Sequence, residues 1–277
     1  MVQEKKPIGM LNGRSAENKF SLSLHPPSAH IALFVEHYWI IRWDLRGQEP
    51  FYSQNLPHPS VHIVFEKDNS RIVGVVTGKF GYLVKDQGVV FGVKFWPGAF
   101  YPLMKRPVST ITDVSVPVDA ILGPDSLKLE ADVLSQPTDK QMVAVAESFL
   151  TKHLPQQDAT IALVRHIHEA ILTDRELIKV ADVAERFQMS TRSLQRLFDQ
   201  YVGVNPKWII QRCRLHDVAE KVVGNEKLDW LQLALELGYH DQSHLIKDFK
   251  AIIGVTPEEY AMKIKAGTQA NPSTFAN

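Results

Sequence analysis

Two hydrophobic periodicities divide this chain. From about Ile161 to Tyr260, apolar residues return every three or four positions, the repeat of helices that each bury one stripe. From about Phe20 to Gly123 they come in short runs rich in β-branched and aromatic residues, broken by glycine and proline, which reads as strands joined by turns. The pattern predicts an α+β chain: a small N-terminal β-barrel or sandwich-like domain with flanking helices, then an all-α C-terminal domain.

The helical part contains one device twice. In the first copy, Val180, Val183, Ala184 and Phe187 give a short helix one apolar face. Gln188-Met189 turns the chain, and Ser190 is a natural N-cap, its hydroxyl able to accept a free backbone N–H. Leu194, Leu197, Phe198 and Tyr201 then form the buried stripe of a second helix, whose other face is Arg192, Gln195, Arg196 and Asp199. Arg and Gln can each make two hydrogen bonds to a purine edge in the major groove. In the second copy, Trp230, Leu233, Ala234 and Leu237 point inward, Gly238 stops the helix, and Asp241 caps the helix Gln242 to Ile253. Leu245, Phe249 and Ile252 or Ile253 are its stripe; Gln242, Ser243, Ile246 and Lys247 are its outer face. Between the copies, Asn205 to Val223 keeps helical spacing over about five turns. Such a spacer would hold two recognition helices about one DNA turn apart, on the order of 34 Å. A single polar helix face is as readily a solvated surface; two in matched register make a double helix-turn-helix DNA reader the stronger inference.

The order Ala234, Leu237-Gly238-Tyr239, Asp241 to Leu245, Phe249-Lys250, Gly254, Thr256-Pro257 and Tyr260 resembles the signature of AraC/XylS-type transcription regulators. Ala184, Ser190, Leu194 to Phe198, Gly203 and Pro206 match the same family in the first copy. The resemblance spans about Asp158 to Ala266. It implies a bacterial, cytoplasmic protein that is not an enzyme and binds double-stranded promoter DNA, with RNA polymerase as a further partner. It places base reading at Arg192, Gln195, Arg196, Gln242, Ser243, Ile246 and Lys247. By position it places backbone contacts at Ser190, Lys207, Arg212, Arg214, His244 and Lys250. The chain departs from the family pattern at Leu245, often aromatic, and at Lys247, often Arg; Lys keeps the charge but not the two-pronged geometry. A second resemblance rests on Gly92 to Gly98, Leu103, Pro117 and Ile121-Leu122-Gly123, with Leu56-Pro57. These are similar to an uncharacterised N-terminal domain found on a subset of that family, which implies sensing or dimerisation.

Charge changes the picture slightly. Residues 158–266 hold 15 Lys and Arg against 16 Asp and Glu, so phosphate neutralisation alone gives modest affinity, and a homodimer would help. The lone cysteine, Cys213, excludes an internal disulfide or a cysteine-based zinc site; it reads as a small buried residue. It also separates the chain from DNA-repair relatives that carry a methyl-accepting cysteine. No signal-peptide-like run and no membrane-length apolar segment is visible.

The expected organisation is a flexible N-terminus at 1–19, a β-rich sensor or dimerisation domain at 20–123, a helical connector and linker at 124–157, the reader at 158–266, and a flexible tail at 267–277. Ile31 to Ile41 reads as a short helix running into a strand near Tyr38 to Trp43. Strands are expected at Val61 to Phe65, Arg71 to Thr77, Gly81 to Lys85 and Val89 to Phe95, and helices at Leu127 to Leu134 and Lys140 to His153. Tyr38, Trp39, His62, Phe65, Phe95 and Trp96 are candidates to line a pocket for a small-molecule effector. His58, His62 and Glu66 raise a rival reading, a metal- or ligand-processing β-barrel whose helical domain mediates protein contacts. Pro57 and Pro59 hold His58 in a turn, and on a strand His62, Val64 and Glu66 share one face. No cofactor is implied.

Overall fold

The computed structural model describes residues 19–55, 57–78, 80–154, 158–223 and 229–262. The expected flexible tail, nearly all of the expected flexible N-terminus and the linker residues 155–157 lie outside these.

The N-terminal part is an antiparallel sheet in the order β1 (Ser21–His25), β2 (Val35–Asp44), β7 (Gln87–Phe95), β4 (His62–Glu66), β5 (Arg71–Val73) and β8 (Ser115–Pro117). A separate two-stranded ribbon pairs β3 (Phe51–Asn55) with β6 (Phe80–Val84). Register sets the faces. Ile40 and Phe65 both stand opposite Phe91, and Ile63 opposite Val93, so alternate residues build one buried face with Tyr38. The other face carries Trp39, Trp43, Val64, Val73 and Val90 as a small cluster of its own.

Two local expectations are corrected. Residues 31–34 make a single turn, closed by Phe34 N–H and Val35 N–H on the Ile31 carbonyl, rather than a helix. From Val35 one edge of β2 is taken by β7, and from Tyr38 to Arg42 the other is taken by β1, so that ladder pairing replaces helical bonding of the backbone. The strand expected to reach Thr77 ends at Val73. At Gly74 a side chain would overlap the Ile111 carbonyl, and the chain leaves the ladder to bond Val114 O through Gly74 N–H at 3.1 Å.

The helices are α1 (Tyr101–Met104), α2 (Asp119–Leu122), α3 (Leu129–Leu134), α4 (Asp139–His153), α5 (Ala159–Thr173), α6 (Val180–Arg186), α7 (Thr191–Tyr201), α8 (Pro206–Val223), α9 (Trp230–Glu236) and α10 (Gln242–Ile253). Leu129 and Val133 of α3 and Met142, Ala146 and Leu150 of α4 share the core of the sheet's Tyr38 face. That core continues through α5, α6 and α7 into the first half of α8, ending at Ile209, Ile210 and Cys213. A second, separate core joins Leu215, Val218 and Ala219 of α8 to α9 and α10. Thus α8 belongs to both. Cys213 is buried, as its type suggests.

The sheet domain and the first reader meet in a bonded seam. Thr112 Oγ1 donates to the Gly203 carbonyl at 2.5 Å, Gln200 Nε2 to Tyr101 Oη at 2.5 Å, and Trp208 Nε1 to the Thr77 carbonyl at 3.2 Å. Tyr101 and Tyr201 pack ring to ring at 4.3 Å.

Candidate functional site

The two helix pairs are built alike down to their turns. α6 ends at Gln188 with φ +52°, and Met189 N–H reaches back to the Ala184 carbonyl at 2.8 Å. α9 ends at Gly238 with φ +78°, and Tyr239 N–H reaches back to the Ala234 carbonyl at 2.9 Å. A left-handed residue followed by such a back-bond is how a helix satisfies its last carbonyls while turning sharply. The next helix is capped both times, by Ser190 on Ser193 N–H and by Asp241 on His244 N–H, each at 3.0 Å.

On α7, Leu194 and Phe198 are fully buried, while Arg192, Gln195, Arg196 and Asp199 are exposed. On α10, Leu245 and Phe249 are fully buried; Ser243, His244, Lys247 and Lys250 are exposed, and Gln242 and Ile246 half-buried at the rim. Gln211 Nε2 of α8 donates to Asp248 at 2.7 Å, tying α10 to the spacer. Lys207 is exposed at the start of α8. Arg192, Arg196, Lys247 and Lys250 have no ion-pair partner among the described residues, so their charges are available to phosphates or bases.

Arg212 and Arg214, expected at DNA phosphates, are corrected: they are 8% and 4% exposed. Two residues apart on a helix, they point to opposite sides of α8, and both sides are covered. Arg214 donates to the carbonyls of Arg175 and Leu177 at 2.9 and 3.1 Å. Arg212 reaches the other way, with Nε on the Pro57 carbonyl and a terminal nitrogen 3.0 Å from His58 Nδ1. Ser190 remains exposed, with its hydroxyl engaged as the cap.

A cavity of about 770 Å³ lies against the Trp39 face of the sheet, bounded also by the ribbon and by α5 and α8. Of the expected pocket residues, Trp39, His62 and Trp96 line it; Tyr38, Phe65 and Phe95 are corrected, being sealed in the core on the opposite face. His62, Val64 and Glu66 do share the cavity face. Trp39 Nε1 donates to His62 Nδ1 at 3.2 Å. Burial, then the positive charge of Lys94, pushes His62 down to about 3, so it is a neutral imidazole. Glu66 accepts from Arg71 at 2.8 Å and from the Tyr82 hydroxyl, while burial and that carboxylate push the Tyr82 phenol upward. Arg165 lies over the Trp96 ring at 4.4 Å. The pattern reading passed over Trp43, Tyr82, Lys94, His168 and Arg212 on this wall. A signal existed for the tryptophans. Gly88 and Gly92 lie four apart on one strand face, and a side chain at either would overlap the ring of Trp43 or Trp39. No group of three or more His, Cys, Asp or Glu that could hold a metal is present among the described residues. Nor is any helix among them long and apolar enough to cross a membrane.

Two capped helix-turn-helix units on one shared helix, behind a β-rich domain, define the class. Residues 183–263 match a helix-turn-helix domain family, and residues 23–117 match a domain of unknown function, DUF6597. The chain is similar to AraC-type helix-turn-helix regulators, with a region matching DUF6597 at its N-terminal side. It is 23% identical over 155 residues to the HTH-type transcriptional regulator ArgR of Pseudomonas aeruginosa, covering 56% of this chain and 44% of ArgR. It is 29% identical over 115 residues to the HTH-type transcriptional activator AarP of Providencia stuartii, covering 42% of this chain and 83% of AarP. The chain thus spans less than half of ArgR. A crystal structure of ToxT from Vibrio cholerae aligns over 88% of this chain and 98% of its own at 13% identity, with a TM-score of 0.34, too loose to build on.

Proposed function

We propose that this protein is a sequence-specific DNA-binding regulator of transcription. α7 and α10 enter neighbouring major grooves, and a small molecule in the cavity modulates them. The observation that carries the reading is the pair of exposed polar faces, each behind a fully buried Leu-and-Phe stripe and each held to α8. At about 1.5 Å per residue, the 18 residues of α8 span roughly 27 Å. That length is commensurate with two helices reading one face of a duplex. Base contacts are assigned to Arg192, Gln195 and Arg196 on α7 and to Gln242, Ser243, Ile246 and Lys247 on α10. Lys207, His244 and Lys250, with Ser190 at the α7 cap, meet the backbone. A homodimer would double the contacts of a reader whose net charge is near zero, and RNA polymerase is the further partner such a regulator would meet.

The test is selection of bound duplexes from a random pool by the intact protein, then the same selection with Arg196→Ala. Paired half-sites about one helical turn apart are expected. The variant should relax preference at one base of one half-site, at a cost of roughly 1–3 kcal/mol. An unchanged sequence preference in Arg196→Ala would remove α7 as a reader.

A further inference from the structure

The charges on the cavity wall are matched with one exception. Arg71 is held by Glu66 at 2.8 Å, Lys94 by Glu36 at 3.1 Å, and Arg165 by Glu169 at 3.1 Å. Asp217, also on the wall, is committed to Arg175. Arg212 has no carboxylate within ion-pair distance among the described residues. Its guanidinium meets the Pro57 carbonyl, the Cys213 side chain and an imidazole nitrogen of His58 that can accept only when unprotonated, while Glu36, already paired with Lys94, acts on it from beyond ion-pair distance. A buried cation without a counter-charge is strongly unfavourable.

A second observation falls at the same end of the cavity. His168 of α5 is 9% exposed, and its Nε2 has no hydrogen-bond partner. It is close enough for the Arg212 charge to help burial keep it neutral. Buried polar atoms are rarely left unpaired, and here an unpaired imidazole nitrogen and an unmatched guanidinium share one wall. Between the paired charges the lining is apolar and includes the flat side chains of Trp39, Trp43 and Phe80.

We propose that the cavity takes a small monoanion with a flat apolar body, its acid group received by Arg212 and His168 and its body laid between Trp39 and the ribbon. A dianion would need a second free cation, and the others are spoken for. A neutral molecule would leave the guanidinium unmatched. The inference rests on the reading of the cavity as an effector site and adds how occupancy is reported: Arg212 stands on α8, the helix to which both reading helices are fixed.

The test uses the intact protein and a panel of aromatic monocarboxylates, indole-3-acetate, 3-phenylpropanoate and 2-naphthoate among them, each beside its primary amide. Binding is read by calorimetry and by quenching of tryptophan emission. At least one acid should bind more than tenfold tighter than its amide. Arg212→Gln should bring that ratio close to one, and Arg212→Lys should keep part of it. If Arg212→Gln does not fold, the ratio in the unaltered protein and in Arg212→Lys decides. Amides binding as tightly as acids, or a ratio that survives Arg212→Gln, overturns the charge assignment and leaves the effector reading standing. No binding by any member of the panel overturns both.

Discussion

The two readers are anchored unequally, and that asymmetry can be measured. Phe249 and Phe198 hold equivalent places, each fully buried beneath its recognition helix. Phe198 belongs to the core that runs back into the sheet; Phe249 belongs to the small separate core of α9, α10 and the end of α8. Truncating a buried Phe to Ala costs about 3–5 kcal/mol. For Phe249 this includes the edge-to-face packing on Tyr260, whose ring lies 5.8 Å away at 66°. A substructure of roughly 45 residues has a stability of only about 2–7 kcal/mol at typical values per residue. Phe249→Ala should therefore release the second reader by itself. At about 1.4 kcal/mol per factor of ten, a 4 kcal/mol loss speeds hydrogen exchange of the α9 and α10 amides by up to roughly a thousandfold. The sheet amides should keep their protection, and DNA selection should return single half-sites. Phe198→Ala should loosen the first reader and the sheet together. Uniform acceleration across the chain in Phe249→Ala would refute the two-core argument.

Three further outcomes follow from the geometry. Both His62 and His168 are held neutral, with values pushed down to about 3, so between the ordinary histidine value near 6.5 and about 3 the unfolded chain binds protons that the folded chain does not. Stability from these groups is complete above pH 6.5 and falls as pH falls, by up to about 1.4 kcal/mol per pH unit for each. His62→Gln should flatten the acid limb of a melting-temperature profile, and an unchanged limb would mean the site is open to solvent. Gly92→Ala should cost about 1–3 kcal/mol by driving a methyl into the Trp39 ring, breaking its bond to His62; unaltered tryptophan emission and melting would contradict this. Lys207→Ala should weaken binding to all duplexes alike and lower the salt slope by about one. A sequence-selective loss would instead place Lys207 at a base.

The C-terminal half was legible because its information is local. Ser190, Asp241 and Gly238 mark helix ends by their own chemistry, and stripes such as Leu194–Phe198 and Leu245–Phe249 declare which face is buried. What periodicity does not say is what covers the remaining faces. Position in the family pattern puts Arg212 and Arg214 at DNA phosphates, and only packing of α8 against the sheet domain and the 174–177 segment shows them enclosed. The same ambiguity divided the pocket candidates. Strands β2, β4 and β7 are apolar on both faces, so alternation separates Trp39 from Tyr38 and His62 from Phe65 without saying which set meets a cavity. β1, β3 and β8 were missed for a related reason. Ser21–His25 and Phe51–Asn55 are short and rich in polar residues, and their pairing partners are distant in sequence.

The seam at Thr112–Gly203, Gln200–Tyr101 and Trp208–Thr77 bears on how such a protein can be rearranged over evolution. A β-rich domain acquired by recombination would arrive without the tyrosine that stacks on Tyr201 or the carbonyl that receives Trp208. It would also uncover apolar surface on α5 that the present sheet domain closes. The two halves are therefore expected to be inherited as a matched pair, with exchange confined to lineages that already share the seam. The second reader, touching the rest chiefly through α8, is the part free to drift toward new operators.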